Sequence, residues 1–218
     1  MASAYKPPAQ MPSGDPGVST ETYFKRITEL IPRLPYETID AIAGALLQAV
    51  QEEQTVFVFG NGGSAASASH MMCDLNKGVV GREQSRRPKV IALTDNVPLL
   101  TAWANDRGYE QVFSEQLKGF VHRGDVAFAI SASGNSPNVV LALQTAREFG
   151  AFTVGIAGFH GGKMRGLCDL CAVVPSDNMQ LIEDLHHAML HSIFVVLREK
   201  LHGSVRKPLA LTAGRSPL

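Results

Sequence analysis

His70 and Asp74 stand four residues apart in a stretch that reads as a helix, so an imidazole and a carboxylate share one face. Glu183, His187 and His191 repeat that spacing further on, as a polar stripe in an otherwise apolar run. Carboxylates and imidazoles are the side chains that general acid–base chemistry uses. Two other segments suit an anion. In the run VFVFGNGGSAASASH, residues 56–70, an apolar strand breaks at Gly60, and Asn61, Gly62, Gly63 and Ser64 turn the chain into a helix of small residues. Backbone N–H groups at such a junction point into open space and favour a phosphate. The spacing is neither G-x-x-x-x-G-K-[ST] nor the dinucleotide fingerprint. In the second segment, Ser131, Ser133 and Ser136 bring three hydroxyls to a helix that opens at Pro137, where neutral donors and the helix dipole can hold a dianion without a lysine.

Each feature also has a plain structural explanation: a tight turn, a serine helix cap, a core histidine bonded to a backbone carbonyl. That explanation is preferred for His160, His186 and His187. For His70, His191 and the serine loop the chemical one is preferred.

The elements that must position these groups follow from periodicity. Apolar stripes predict helices over 20–31 and 38–52, and short β-rich runs predict strands over 56–59, 90–93, 126–130, 153–157 and 172–174. Between them lie helices starting near Ser64 and over 97–105, 112–119 and 137–149, a turn at 105–109, a polar loop at 82–89 and a glycine-rich loop at 158–166. A helix over 179–201 closes the chain. Buried strands alternating with helices call for an α/β fold, a doubly wound, three-layer αβα sandwich on a parallel five-stranded sheet. Ligands of such folds sit at the carboxyl ends of the strands, where both polar loops lie. The two leading helices cannot both be crossovers of the sheet, which leaves an apolar stripe for a partner subunit.

Composition narrows the partners. Twenty basic residues balance twenty acidic ones, so no net field steers the protein towards nucleic acid or an anionic membrane. No apolar run spans a bilayer, and residues 1–17 lack the apolar core of a signal peptide. The expectation is a soluble, cytoplasmic protein with one domain over 20–202, a disordered tail at 1–19 and a mobile tail at 203–218. Three cysteines give no disulfide framework. Cys168 and Cys171 form a C-x-x-C, but it runs into a strand and no second pair exists. They are read as packing at a strand edge rather than as a zinc or redox site.

The segments GNGGSAASASH, ANDRGYEQVFSEQL, ISASGNSPNVVLAL, GGKM and IEDLHHAMLH, in this order and spacing, resemble the SIS (sugar isomerase) domain family, and most closely its phosphoheptose isomerases. The resemblance covers about residues 23–201. It implies a flavodoxin-like SIS fold and the interconversion of sedoheptulose 7-phosphate with a glycero-manno-heptose 7-phosphate through an enediol. It also implies assembly into a homotetramer through residues 20–53, with active sites near subunit interfaces. Carried over residue by residue, it makes Asn61, Gly62, Gly63, Ser64, Asp74, Ser131, Ala132, Ser133, Ser136 and Glu183 substrate-binding. Asn105 and Asp106 reach the substrate, from a neighbouring subunit. His70, Asp74, Glu183 and His191 fall on divalent-metal positions, and Asp74 and His191 on the acid–base pair. Two imidazoles and two carboxylates suit Zn2+ or another divalent ion.

The sequence departs from this family at three points. Asp74 stands where glutamate is usual, which shortens the arm by about 1.5 Å, enough to matter for proton transfer. Glu183 stands where glutamine is usual, and the arginine expected soon after the carboxylate is replaced in a stretch reading Asn76, Lys77, Gly78. Two alternatives stay open: a non-catalytic relative that binds a protein partner, of the replication-initiation-factor type, and a phosphosugar sensor without turnover.

Overall fold

The computed structural model describes residues 19–78 and 87–203. The expectations for residues 1–18, 82–86 and 204–218 lie outside these residues, whereas Ser19 and Gly203, expected in the tails, cap the first helix and end the closing one. Two helices lead the chain, α1 (Thr20–Leu30) and α2 (Tyr36–Gln51), separated by a short 3-10 turn at Ile31–Arg33. Ser19 caps α1 by accepting from the Thr22 N–H, while the Thr22 hydroxyl accepts from the Ser19 N–H.

The sheet contains β1 (Thr55–Gly60), β2 (Lys89–Ala92), β3 (Val126–Ser131), β4 (Phe152–Ala157) and β5 (Leu170–Val173), all parallel, in the order β2-β1-β3-β4-β5. The chain leaves β1 for β2 at one edge and returns to β3 on the other side. The crevice of such a fold opens where the strand order reverses, between β1 and β3. Asp125, just before β3, fixes the far end of that pair by accepting from the Thr55 and His122 N–H groups at 2.8 Å each.

Both faces of the sheet are covered, which is why its strands are apolar runs without alternation. On one face Val56, Val58, Phe128 and Ile130 meet α2, α3 (Gly63–Cys73) and the long closing helix α8 (Met179–Gly203). On the other, Phe57, Phe59, Ala127 and Ala129 meet α5 (Ser114–Phe120) and α6 (Pro137–Glu148). The helix α4 (Val97–Arg107) buries none of its residues.

Three local expectations change. Residues 105–107 belong to α4 and not to a turn, because Asn96 caps the helix at its start and glycine ends it only at Gly108, φ +97°. Within the 158–166 loop a four-residue helix begins, α7 (Met164–Leu167), too short to leave a periodic trace. After Cys73 the helix widens into a π turn over Asp74–Gly78. Such turns shift side chains relative to a regular helix and are frequent at functional sites.

Candidate active site

Two helices deliver the imidazoles. α3 starts in the β1 crevice and carries His70 near its end; Asp74 follows as its C-cap. α8 crosses it and presents His191. His70 Nε2 lies 3.0 Å from His191 Nε2 and 3.2 Å from Asp74 Oδ2, and Asp74 Oδ2 lies 3.6 Å from His191 Nε2. All three side chains remain partly open to solvent. His187 is a fourth member. Its ring centroid sits 4.7 Å from that of His70 and 4.6 Å from that of His191, and the three rings can offer nitrogens within 4.8 Å of one another. Burial first, then the neighbouring His191 and His70 rings, hold the His187 pKa below its usual value. His187 is thus no core residue. Nor is His160, which is exposed.

These spacings suit a cation. Around a tetrahedral zinc with ligand bonds near 2.0–2.1 Å, donor atoms stand roughly 3.3 Å apart. Glu183 takes no part in the cluster of three imidazoles. Its carboxylate faces the start of α3, with oxygens 3.7 and 3.8 Å from where a Cβ on Gly63 would stand. A negative charge is favoured there by the helix dipole.

His186 is the core histidine that was expected, 2% exposed, but neither ring nitrogen has a hydrogen-bond partner. Burial pushes its pKa down to about 4, and the upward pull of the Ala157 backbone is the smaller effect.

The two anion loops meet in one crevice, as their places in the sheet require. A cavity of about 120 Å3 is lined by Asn61, Ser64, Ser131, Ala132, Ser133 and Ser136. A second, of about 190 Å3, shares Ser64 with it and reaches Glu183 and His187. The first turn of α3 differs from expectation. The N–H groups of Ser64 and Ala65 donate to the Asn61 and Gly62 carbonyls at 3.0 Å, and Ala66 donates to Gly62 at 3.2 Å. With those donors engaged and a carboxylate at Gly63, the serine loop is the better anion cradle. Its Ser131 and Ser136 hydroxyls lie 3.5 Å apart, and the Asn135 N–H donates to Ser133 Oγ at 3.3 Å. The following stretch braces it from outside: the Met164 N–H donates to the Gly134 carbonyl and the Lys163 N–H to Asn135 Oδ1, both at 3.0 Å.

Asn61 is held by residues that periodicity does not single out. It exchanges amide hydrogen bonds with buried Asn138, 2.8 Å in each direction, and its Oδ1 also accepts from the Tyr109 hydroxyl at 3.0 Å. Asn105 and Asp106 bond to each other at 2.8 Å on the exposed end of α4. Of the missed residues only His187 left a signal, its spacing of four from both Glu183 and His191.

A family model described as the SIS domain matches residues 22–158. The phosphoheptose isomerase of Pelobacter propionicus is 38% identical over 187 residues, which cover 84% of this chain and 97% of that protein. That of a Bradyrhizobium species (strain ORS 278) is 40% identical over 169 residues, covering 77% and 83%. Among solved structures, phosphoheptose isomerases from Francisella tularensis and Neisseria gonorrhoeae each superpose with a TM-score of 0.75. They are 27% and 28% identical, and cover 82% and 81% of this chain and 96% and 95% of theirs. The crevice, the serine loop and the carboxylate–imidazole cluster therefore sit in a chain that belongs to the phosphoheptose isomerase family of SIS-domain proteins.

Proposed function

We propose that this protein is a cytoplasmic sugar-phosphate isomerase that interconverts sedoheptulose 7-phosphate and D-glycero-D-manno-heptose 7-phosphate, a step of activated-heptose synthesis. The observation that carries this reading is the meeting of His70, Asp74 and His191 beside a serine-lined cavity at one end of the sheet. The reaction moves a proton between C1 and C2 while the two oxygens exchange another, so it needs two groups that take and return protons. Asp74 handles the proton on carbon and His191 the proton on oxygen. Ser131, Ser133 and Ser136, with the backbone at Ala132, hold the phosphate. Asn61, Gly62, Gly63, Ser64 and Glu183 line the sugar, and Asn105 and Asp106 reach the substrate of a neighbouring subunit. Balanced charge supports a small ligand over nucleic acid.

The donor set fits a divalent ion, with His70, Asp74 and His191 as ligands and His187 in the further position that the family pattern gives to Glu183. When bound, zinc supplies a Lewis acid that polarises the sugar oxygens at C1 and C2. His187→Ala should then weaken zinc binding by more than about tenfold, as read by competition with a chelating dye, with circular dichroism unchanged. Unchanged zinc affinity would return the fourth position to Glu183.

Ser133→Ala should weaken binding of phosphorylated ligands by about 1–2 kcal/mol, the scale of one hydrogen bond to a charged group, with little effect on folding. Calorimetric titration with inorganic phosphate and with sugar phosphate checks this; equal affinities in mutant and parent count against the cradle.

The protein assembles as a homotetramer through α1 and α2. Phe24, Ile31 and Tyr36 are 65%, 43% and 50% exposed along an apolar groove of about 600 Å3 between α1 and α8. Large apolar side chains left exposed along one groove are what a subunit interface would cover. Light scattering at micromolar concentration should give four subunits, and a monomer would remove the assembly. The activity itself is tested by following sedoheptulose 7-phosphate with the enzyme zinc-loaded, then stripped by a chelator. Turnover that falls on stripping and returns with zinc is expected; no turnover in either state overturns the proposal.

A further inference from the structure

Cys168 and Cys171 lie at the sheet edge, outside the carboxylate–imidazole cluster. Cys168 follows α7, its N–H bonded to the Met164 carbonyl at 2.9 Å, and Cys171 stands in β5 opposite Gly155 of β4. Glycine at 155 is what lets the two sulfurs meet. A Cβ there would come within 2.8 Å of Cys168 Sγ and 3.4 Å of Cys171 Sγ, so both sulfurs sit over one α-carbon. The two thiols thus face each other across Gly155, and both residues are free and half-buried.

Their surroundings are unequal. The hydrogen bond from Cys168, then the Arg165 guanidinium, hold the Cys171 thiol below its usual pKa against the effect of burial. Donating that bond, and burial, hold Cys168 well above. Two partly exposed thiols held over one glycine, one of them near a cation, form the microenvironment of a reactive dithiol. Cys73, the third cysteine, is exposed on α3.

We infer that Cys168 and Cys171 are a redox-active dithiol that closes to an intrachain disulfide, with Cys171 as the attacking thiol and Cys168 as the resolving one. The oxidant is a small-molecule disulfide of the glutathione class. Cys171 Sγ attacks one of its sulfurs, its S–S bond breaks, and one thiol leaves with the proton from Cys171. Cys168 Sγ then attacks Cys171 Sγ in the mixed disulfide, the new Sγ–Sγ bond forms, and the second small thiol leaves with the proton from Cys168. The cysteines lose two electrons and two protons, which the oxidant gains. The bond ties the end of α7 to β5, and the start of α7 is the element that braces the serine loop through Gly134.

The test incubates the folded, full-length protein with excess oxidised glutathione, quenches with acid, alkylates and maps peptides by mass. The expected peptide carrying Cys168 and Cys171 is lighter by two hydrogens and takes no alkyl group, while Cys73 carries glutathione. Cys168→Ser should trap glutathione on Cys171, and Cys171→Ser should leave Cys168 alkylated. Alkylation of both cysteines in wild-type protein whose Cys73 already carries glutathione would overturn the inference. So would a disulfide that appears only after unfolding in urea.

Discussion

Replacing His191 by alanine, or Asp74 by asparagine, should each lower turnover of sedoheptulose 7-phosphate by about 100-fold or more, with secondary structure and assembly intact. Positioned acid–base groups are typically worth that factor, near 2.7 kcal/mol in the barrier at about 1.36 kcal/mol per tenfold. Both side chains are partly open to solvent, so neither substitution empties a packed core. Because both residues also stand within ligand distance of a common point, zinc content has to be measured on the same samples. A variant that keeps its zinc and loses turnover identifies proton transfer as the missing function. Asp74→Glu is the more telling companion. If the aspartate is only a shortened form of the family's glutamate, the longer arm should keep or raise activity. If the aspartate is matched to the 3.0–3.6 Å spacing of this cluster, glutamate should crowd it and lower both activity and zinc affinity. Full activity in His191→Ala would sink the acid–base assignment.

The second large effect belongs to Gly134→Ala. Gly134 turns the serine loop with φ +62°, a left-handed conformation that an L side chain adopts at a cost of about 1–2 kcal/mol. A Cβ there would also run into the backbone carbonyl of Gly161, and a backbone atom cannot swing aside as the end of a side chain can. Forced overpacking commonly costs about 1–3 kcal/mol, so a loss of about 3 kcal/mol is expected in all. For a chain of this size that lowers Tm by roughly 6–12 °C. The loops at 131–136 and 158–167 would be pushed apart, so phosphate affinity should fall with stability. Gly119→Ala is the control. A Cβ at Gly119 meets nothing within 4 Å, and the residue lies inside α5, so alanine should leave Tm unchanged or raise it. Equal melting of the Gly134→Ala protein and its parent would contradict this account of the loop.

Much of the fold was legible because burial on both faces writes a parallel strand as an unbroken apolar run. Residues 56–59 and 126–130 could be read directly, and each runs into a polar loop that the sheet order then brings to the same crevice. α7 was not legible, since four residues in a glycine-rich stretch show no period. The π turn at Asp74–Gly78 has no sequence period either. His187 illustrates a different limit. Its spacing from Glu183 and His191 put it on the right stripe, but which member of that stripe meets His70 depends on how α8 crosses α3, a tertiary fact. The Asn61–Asn138 amide pair depends on contact across 77 positions of sequence and left no local trace.

The most direct test of the central claim is to incubate the zinc-loaded protein with sedoheptulose 7-phosphate in deuterium oxide and follow C1 and C2 by NMR. The account predicts an aldose 7-phosphate that appears with deuterium at C2, and ketose recovered from the equilibrium mixture with deuterium at C1. Both signals should drop about 100-fold or more in His191→Ala. Ketose recovered unlabelled, with no aldose formed by protein that binds the sugar phosphate, would contradict it.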